Sequence, residues 1–156
     1  MRRCSMATAT VFLALVASGC GTPVVQVSDV PQPDGQDAAS CAALTAALPK
    51  RVGDKLDKRT VEPKSPLIAA WGKPAVVLRC GVGIPTTYRP GVDLTIVNNI
   101  GWFEDDRQDD VVYTTITRQP RVALAVPRAQ ASSFEILVDI ADVVGAHTQG
   151  PDLTAQ

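Results

Sequence analysis

Residues 75–82 read AVVLRCGV, and the alternation within this stretch decides the fold. In an extended chain successive side chains point to opposite faces, so Val76, Leu78, Cys80 and Val82 fall on one side and Val77 and Arg79 on the other. A strand with one apolar and one mixed face belongs to an antiparallel sheet that is covered on one side. Comparable runs follow at 92–98, 101–104, 111–118 and 121–126, joined by NNIG, DDRQDD and RQP, each short, polar and hairpin-like. Neighbouring strands are therefore expected to run antiparallel, in a meander of about five. In the last run Val122, Leu124 and Val126 alternate with Ala123 and Ala125, which makes one face bulky and leaves the other fit for close cover.

Helical spacing brackets these strands. SCAALTAAL, at 40–48, places Cys41, Leu44 and Leu48 on one helix face. SSFEILVDIADVVG, at 132–145, places Phe134, Leu137, Ile140, Ala141 and Val144 together, and Ser132 with Glu135 three residues on forms a capping-box pattern. The same segment also alternates as a strand would, through Phe134, Ile136, Val138 and Ile140, so its periodicity leaves both forms open. Between the first helix and residue 75 the chain is charged and proline-bearing, and residues 50–59 read as a solvated helix end or loop. The expected architecture is a single α+β domain over residues 38–146: two layers, an antiparallel meander with an N-terminal and a C-terminal helix. Residues 147–156 are expected to form a flexible tail.

The beginning of the chain has a different character. Arg2 and Arg3 precede an apolar run at 7–16 and the small residues Ala17, Ser18 and Gly19, the layout of an export signal over residues 1–19. The run is shorter than the roughly 20 residues that cross a hydrocarbon core. Ala17-Ser18-Gly19-Cys20 resembles the bacterial lipobox, with Ala17 where the common form has Leu. That resemblance implies cleavage before Cys20 and a diacylglyceryl thioether at its sulfur, with acyl chains of the palmitate kind. A protein so anchored sits on the outer face of the cytoplasmic membrane, since two acyl chains hold where one binds only marginally. The other reading leaves Cys20 as an ordinary thiol free to pair. Residues 20–37, rich in Pro, Gly, Gln and Asp, read as a tether; alternatively Val24, Val25 and Val27 add an edge strand.

Four cysteines occur in the chain. Cys4 leaves with the signal and Cys20 is taken by the lipid, so Cys41 and Cys80, in a compartment that permits disulfides, should pair. The bond would tie the first helix to the buried side of the sheet. Neither C-x-x-C nor a tetrahedral ligand set is present, so neither redox chemistry nor a metal is implied.

The formal charge of −1 becomes −3 once Arg2 and Arg3 are removed, which gives no basis for nucleic-acid binding. The single histidine, His147, stands in the expected tail without a neighbouring motif. G-x-S-x-G, S-x-x-K and H-E-x-x-H are all missing from the sequence. The cluster Glu104, Asp105, Asp106, Asp109 and Asp110 lacks EF-hand spacing and, with Arg107 inside it, reads as a solvated hairpin tip. Trp71, Arg79, Tyr88, Arg89 and Trp102 form the most suggestive group, because aromatic and arginine side chains often build recognition surfaces. Core or rim packing of the two tryptophans is the plainer alternative. Arg79 stands among apolar neighbours, so it either reaches solvent from an open sheet face or pairs there with a carboxylate such as Asp93.

WGKPAVVLRCGVGIP at 71–85, YTTITRQPRVALAVP at 113–127 and the VNNIGW segment at 97–102 resemble the actinobacterial envelope proteins grouped as domain of unknown function 3515. The resemblance extends over most of 38–144 and includes the signal-plus-cysteine start. It implies an exported, often lipid-anchored domain and supplies neither catalytic residues nor a cofactor. The expected function is thus a non-catalytic envelope module that binds a protein or a wall component through Trp71, Arg79, Arg89 and Trp102. A small-molecule carrier or sensor is the alternative, and a carboxylate-dependent wall enzyme ranks below both.

Overall fold

In the computed structural model, residues 23–53, 55–130 and 133–151 are described. Residues 1–19, expected as an export signal, and Cys20 and Ser132 lie outside them. Ten strands and two helices follow in the order β1 (Val25–Gln26), α1 (Gly35–Ala47), β2 (Arg51–Val52), β3 (Leu56–Arg59), β4 (Val61–Glu62), β5 (Ile68–Trp71), β6 (Val76–Cys80), β7 (Thr95–Val97), β8 (Ile100–Asp106), β9 (Asp110–Thr115), β10 (Val122–Pro127) and α2 (Ser133–His147). The α+β architecture, the helices at both ends and the Cys41–Cys80 disulfide are all present.

Eight strands make one sheet in the order β2-β3-β5-β6-β10-β9-β8-β7, antiparallel throughout. The chain lays down β2, β3, β5 and β6 towards the middle, crosses by residues 81–94 to the far edge, and meanders back from β7 until β10 closes beside β6. All five expected strands are there, each within a few residues of its expected bounds. Residues 50–59, expected as a solvated helix end or loop, instead form the β2–β3 hairpin. Its turn uses Gly53 at φ +53, whose backbone N–H donates to Asp139 Oδ2 of α2 at 2.7 Å. Charge on the outer positions hid the strands: among the described residues of that hairpin only Val52 is fully buried. In the NNIG turn Asn98 and Asn99 take φ of 46° and 66°, the paired left-handed conformation that Asn tolerates and a two-residue hairpin favours.

Both helices pack on one face of the sheet. Cys41, Leu44 and Leu48 meet Trp71, Leu78, Cys80, Trp102 and Leu124, and α2 adds Ile136, Leu137, Ile140, Ala141 and Val144. Burial of each large aliphatic side chain here contributes about 1.5–3 kcal/mol. Residues 134–140 are helical. The apolar stripe is rotated from the expected one: Ile136 is buried and Phe134 is 58% exposed. Leu48 closes α1 with its N–H on Leu44 O at 3.1 Å, and Pro49 follows.

The opposite face carries a second, smaller cluster. Val25 and Gln26 pair in parallel with Val61 and Glu62, and Val27 packs with Val61, Ile68 and Ala70. From Pro23 onward the segment expected as a tether therefore lies on the domain, in the manner of the edge-strand alternative, and α1 already begins at Gly35. The far end is also held. Thr148 is buried, Gln149 exchanges backbone hydrogen bonds with Gln119 at 2.8 and 2.7 Å, and Arg118 donates to Gly145 O and Thr148 O. His147, expected in a loose tail, is in the last turn of α2.

Candidate functional site

Strand parity separates the residues expected to form one binding surface. Trp71 faces Val76 across β5–β6 and Trp102 faces Thr115 across β8–β9, on the helix-covered side, and both indoles are fully buried. Trp71 Nε1 donates to Pro49 O at 3.0 Å, and Lys58 Nζ stands 5.9 Å from its ring. Trp102 Nε1 has no hydrogen-bond partner among the described residues. Arg79 faces Ile68 and Ala123, on the other side of the sheet. Arg89 is exposed in the 81–94 crossover and turns back on its own loop, donating to Thr86 O at 2.7 Å and Tyr88 O at 2.8 Å. Packing thus accounts for the tryptophans, and Arg79 alone of the four stands on the face left free by the helices.

Around Arg79 that face forms a groove of about 310 Å3. Its floor is Val112 and Thr114 of β9 with Ala123 and Ala125 of β10, brought into line by the pairings Ala123↔Thr114 and Ala125↔Val112. The small alanines leave the room that the alternating pattern predicts. Val82, Gly83 and Pro85 form one wall, and Asp29, Arg107 and Asp110 bring charge to the rim. Arg79 Nε donates to the backbone O of Asp29 at 3.1 Å. Burial lowers the pKa of this guanidinium, while the Asp29 and Asp110 carboxylates act in the opposite sense and Arg107 adds to the lowering. Asp29 and Asp110, rather than Asp93, are therefore the carboxylates that act on Arg79. Arg107 is held by Asp105 Oδ2, 2.8 Å from both Nε and Nη2.

Two guanidinium groups and two carboxylates above a small, partly apolar floor can recognise a ligand that presents both signs of charge. Bidentate guanidinium contacts suit carboxylates and phosphates. The acidic run from Glu104 to Asp110 is divided among separate tasks: Asp105 holds Arg107, Asp106 pairs with Arg128, and Asp110 faces the groove. Among the described residues no group of three or more His, Cys, Asp and Glu side chains is placed to hold a metal. Arg107 and Asp110, expected in a solvated hairpin tip, and Asp29, expected in the tether, were not expected beside Arg79, because the β6–β10–β9 register, which aligns Arg79 with positions 123 and 114, is not contained in any one strand.

The sequence pattern of a family described as "Protein of unknown function (DUF3515)" matches residues 4–152. The chain belongs to this family. As a DUF3515 protein it carries the groove, the disulfide and both helices within the matched residues. Neither a curated protein nor a solved structure matches the chain. No helix among the described residues is long and apolar enough to cross a membrane.

Proposed function

We propose that this DUF3515 protein is a non-catalytic envelope module of an actinobacterial cell, exported by residues 1–19, cleaved before Cys20 and lipid-anchored there on the outer face of the cytoplasmic membrane. It binds an envelope protein or wall component through the Arg79 groove. The observation that carries this reading is the groove itself: a half-buried guanidinium with charged neighbours, on the one sheet face that the helices leave uncovered. The Cys41–Cys80 disulfide supports export, since such bonds persist in oxidising compartments.

Cross-linking with mass spectrometry in living cells tests the binding, comparing the native chain with Arg79→Ala. A partner linked near residues 79–85 or 107–112 and lost in the variant is the expected result; links unchanged by the variant overturn the assignment of the groove. Fractionation of Cys20→Ser tests the anchor separately, with release from the membrane expected and equal retention refuting it.

A small-molecule carrier is the second reading, favoured by the groove volume of about 310 Å3, which lies near the lower end of the usual range for ligand pockets. It predicts a rise in melting temperature with a zwitterionic solute of low mass, abolished by Arg79→Ala.

A further inference from the structure

We propose that the basic groove formed by Lys55, Lys58, Arg59 and Lys73 lies against the anionic headgroups of the membrane that holds Cys20. This placement rests on the anchor reading, and it follows from where the folded chain begins. Only Gly21 and Thr22 separate Cys20 from Pro23. At about 3.3–3.6 Å per residue, three steps of extended chain reach at most roughly 11 Å.

Pro23 is fixed in the fold. Its carbonyl accepts a hydrogen bond from Arg59 Nη2, Val25 N–H donates to Thr60 O at 2.9 Å, and Val27 N–H donates to Glu62 O at 2.9 Å. A lipid on Cys20 therefore brings the surface around Arg59 to the bilayer and leaves no slack for the domain to stand away.

That surface is unlike the rest of the molecule. Residues 50–73 contain seven Lys and Arg against three Asp and Glu, in a chain whose net charge is −1. Lys55, Lys58, Arg59 and Lys73 line a groove of about 470 Å3, with Asp57 as its one carboxylate among the described residues, and Asp57 is engaged by Arg51 at 2.8 Å. Lys55, Lys58 and Lys73 are exposed. Val24, next to Pro23 in the chain and 45% exposed, adds an apolar side chain to the surface at the start of the fold. A reach of roughly 11 Å is close to the screening length of about 8–10 Å at physiological salt, so these cations feel an anionic surface. Each contributes roughly fivefold to binding there. The anchor supplies attachment, and the groove would supply orientation, fixing which side of the domain faces outward.

Vesicle co-sedimentation of the chain from residue 20, carrying Cys20→Ser, tests this. Every strand, both helices and the disulfide of the described residues lie within residues 25–147, so this chain keeps all of them. Binding to vesicles of phosphatidylcholine with phosphatidylglycerol should exceed binding to phosphatidylcholine alone by at least about tenfold, and should fall as salt is added. Lys55→Glu with Lys73→Glu, at two exposed positions away from the core, should abolish that preference while the melting temperature stays unchanged. Lys58 is left alone because its Nζ also donates to Thr45 O. Equal binding to both vesicles, or a preference that survives the two substitutions, overturns the proposal. Retention on isolated wall polymer with no vesicle binding overturns it in favour of a polyanionic wall ligand. Because the probe lacks the anchor, these outcomes are separate from release of the Cys20→Ser protein in cells, which judges the anchor alone.

Discussion

Pro33 rests directly on Gly81: a Cβ at Gly81 would stand 2.5 Å from Pro33 Cγ, closer than any real contact, and Gly81 has φ +86. Gly81 N–H is at the same time bound to Arg121 O at 2.7 Å, which holds the end of β6 in line with β10. Only glycine meets both demands, the left-handed backbone and the close approach. The contact clamps the N-terminal segment, with Asp29, to the sheet face that bears Arg79.

Gly81→Ala should therefore cost about 2 kcal/mol or more, since left-handed backbone alone costs an alanine about 1–2 kcal/mol before Pro33 moves. Urea denaturation measures the loss. Hydrogen exchange at Val25 and Val27 should quicken more than at Leu78 or Leu124, because the clamp releases the N-terminal segment before the main sheet.

The disulfide joins α1 to β6 with a Cα–Cα distance of 5.4 Å across a sequence separation of 39. Constraint of an unfolded loop of that size contributes about 4 kcal/mol by loop entropy. Cys41→Ala with Cys80→Ala should lower the melting temperature by more than about 10 °C. Calorimetry of the oxidised wild type against the double variant gives the value; a fall of only a degree or two would mean that the α1–β6 contact is held by packing alone.

Much of this was legible locally. Cys41, Leu44 and Leu48 mark α1, the alternation of 76, 78 and 80 marks β6, and Asn98-Asn99 marks a hairpin, because each signal lies within one element. Four features were not settled by local signals, for related reasons. Leu56–Arg59 is a strand that carries two exposed charges, so its pairing with Trp71 and Ala70 outweighs local polarity. Val25–Gln26 is held by a parallel partner 36 residues away. Phe134 shares the helical spacing of the buried stripe, yet the helix is rolled to present Ile136. The grouping of Trp71 and Trp102 with Arg79 failed on parity between strands, which depends on long-range register. The Arg79 groove is legible only once β6, β10 and β9 are laid side by side.

Arg118 is a buried cation satisfied by the end of a helix. Its Nε donates to Thr148 Oγ1 at 2.7 Å and its Nη2 to Thr148 O and Gly145 O at 2.8 and 3.1 Å, at the terminus where the α2 dipole is negative. Burial lowers its pKa, yet an arginine remains charged in the accessible pH range. Arg118→Leu should cost about 1.5–3 kcal/mol, with no pH dependence between 5 and 9 from this group, as hydrogen bonds to a charged donor are lost and carbonyls are left unpaired. Faster amide exchange at 147–149 would locate the effect; Arg118→Lys should recover only part of it.

The two tryptophans, both fully buried on the helix side, differ in one hydrogen bond, and that difference predicts unequal responses to the same substitution. Trp71→Phe removes the donor to Pro49 O, which must then be left without it, and replaces the indole over which Lys58 lies with a smaller ring. Trp102→Phe removes an indole N–H that has no partner among the described residues, so the lost packing is offset by relief of a buried unsatisfied donor. An unsatisfied buried polar group costs about 1–3 kcal/mol. Both variants leave a cavity of similar origin, and subtracting one from the other leaves the hydrogen-bond contribution together with the change in the Lys58 contact. Trp71→Phe should accordingly be the more destabilising by about 1–3 kcal/mol in chemical denaturation. Equal losses would mean that Trp102 Nε1 is satisfied by a buried water and that the polar accounting at the two sites is the same.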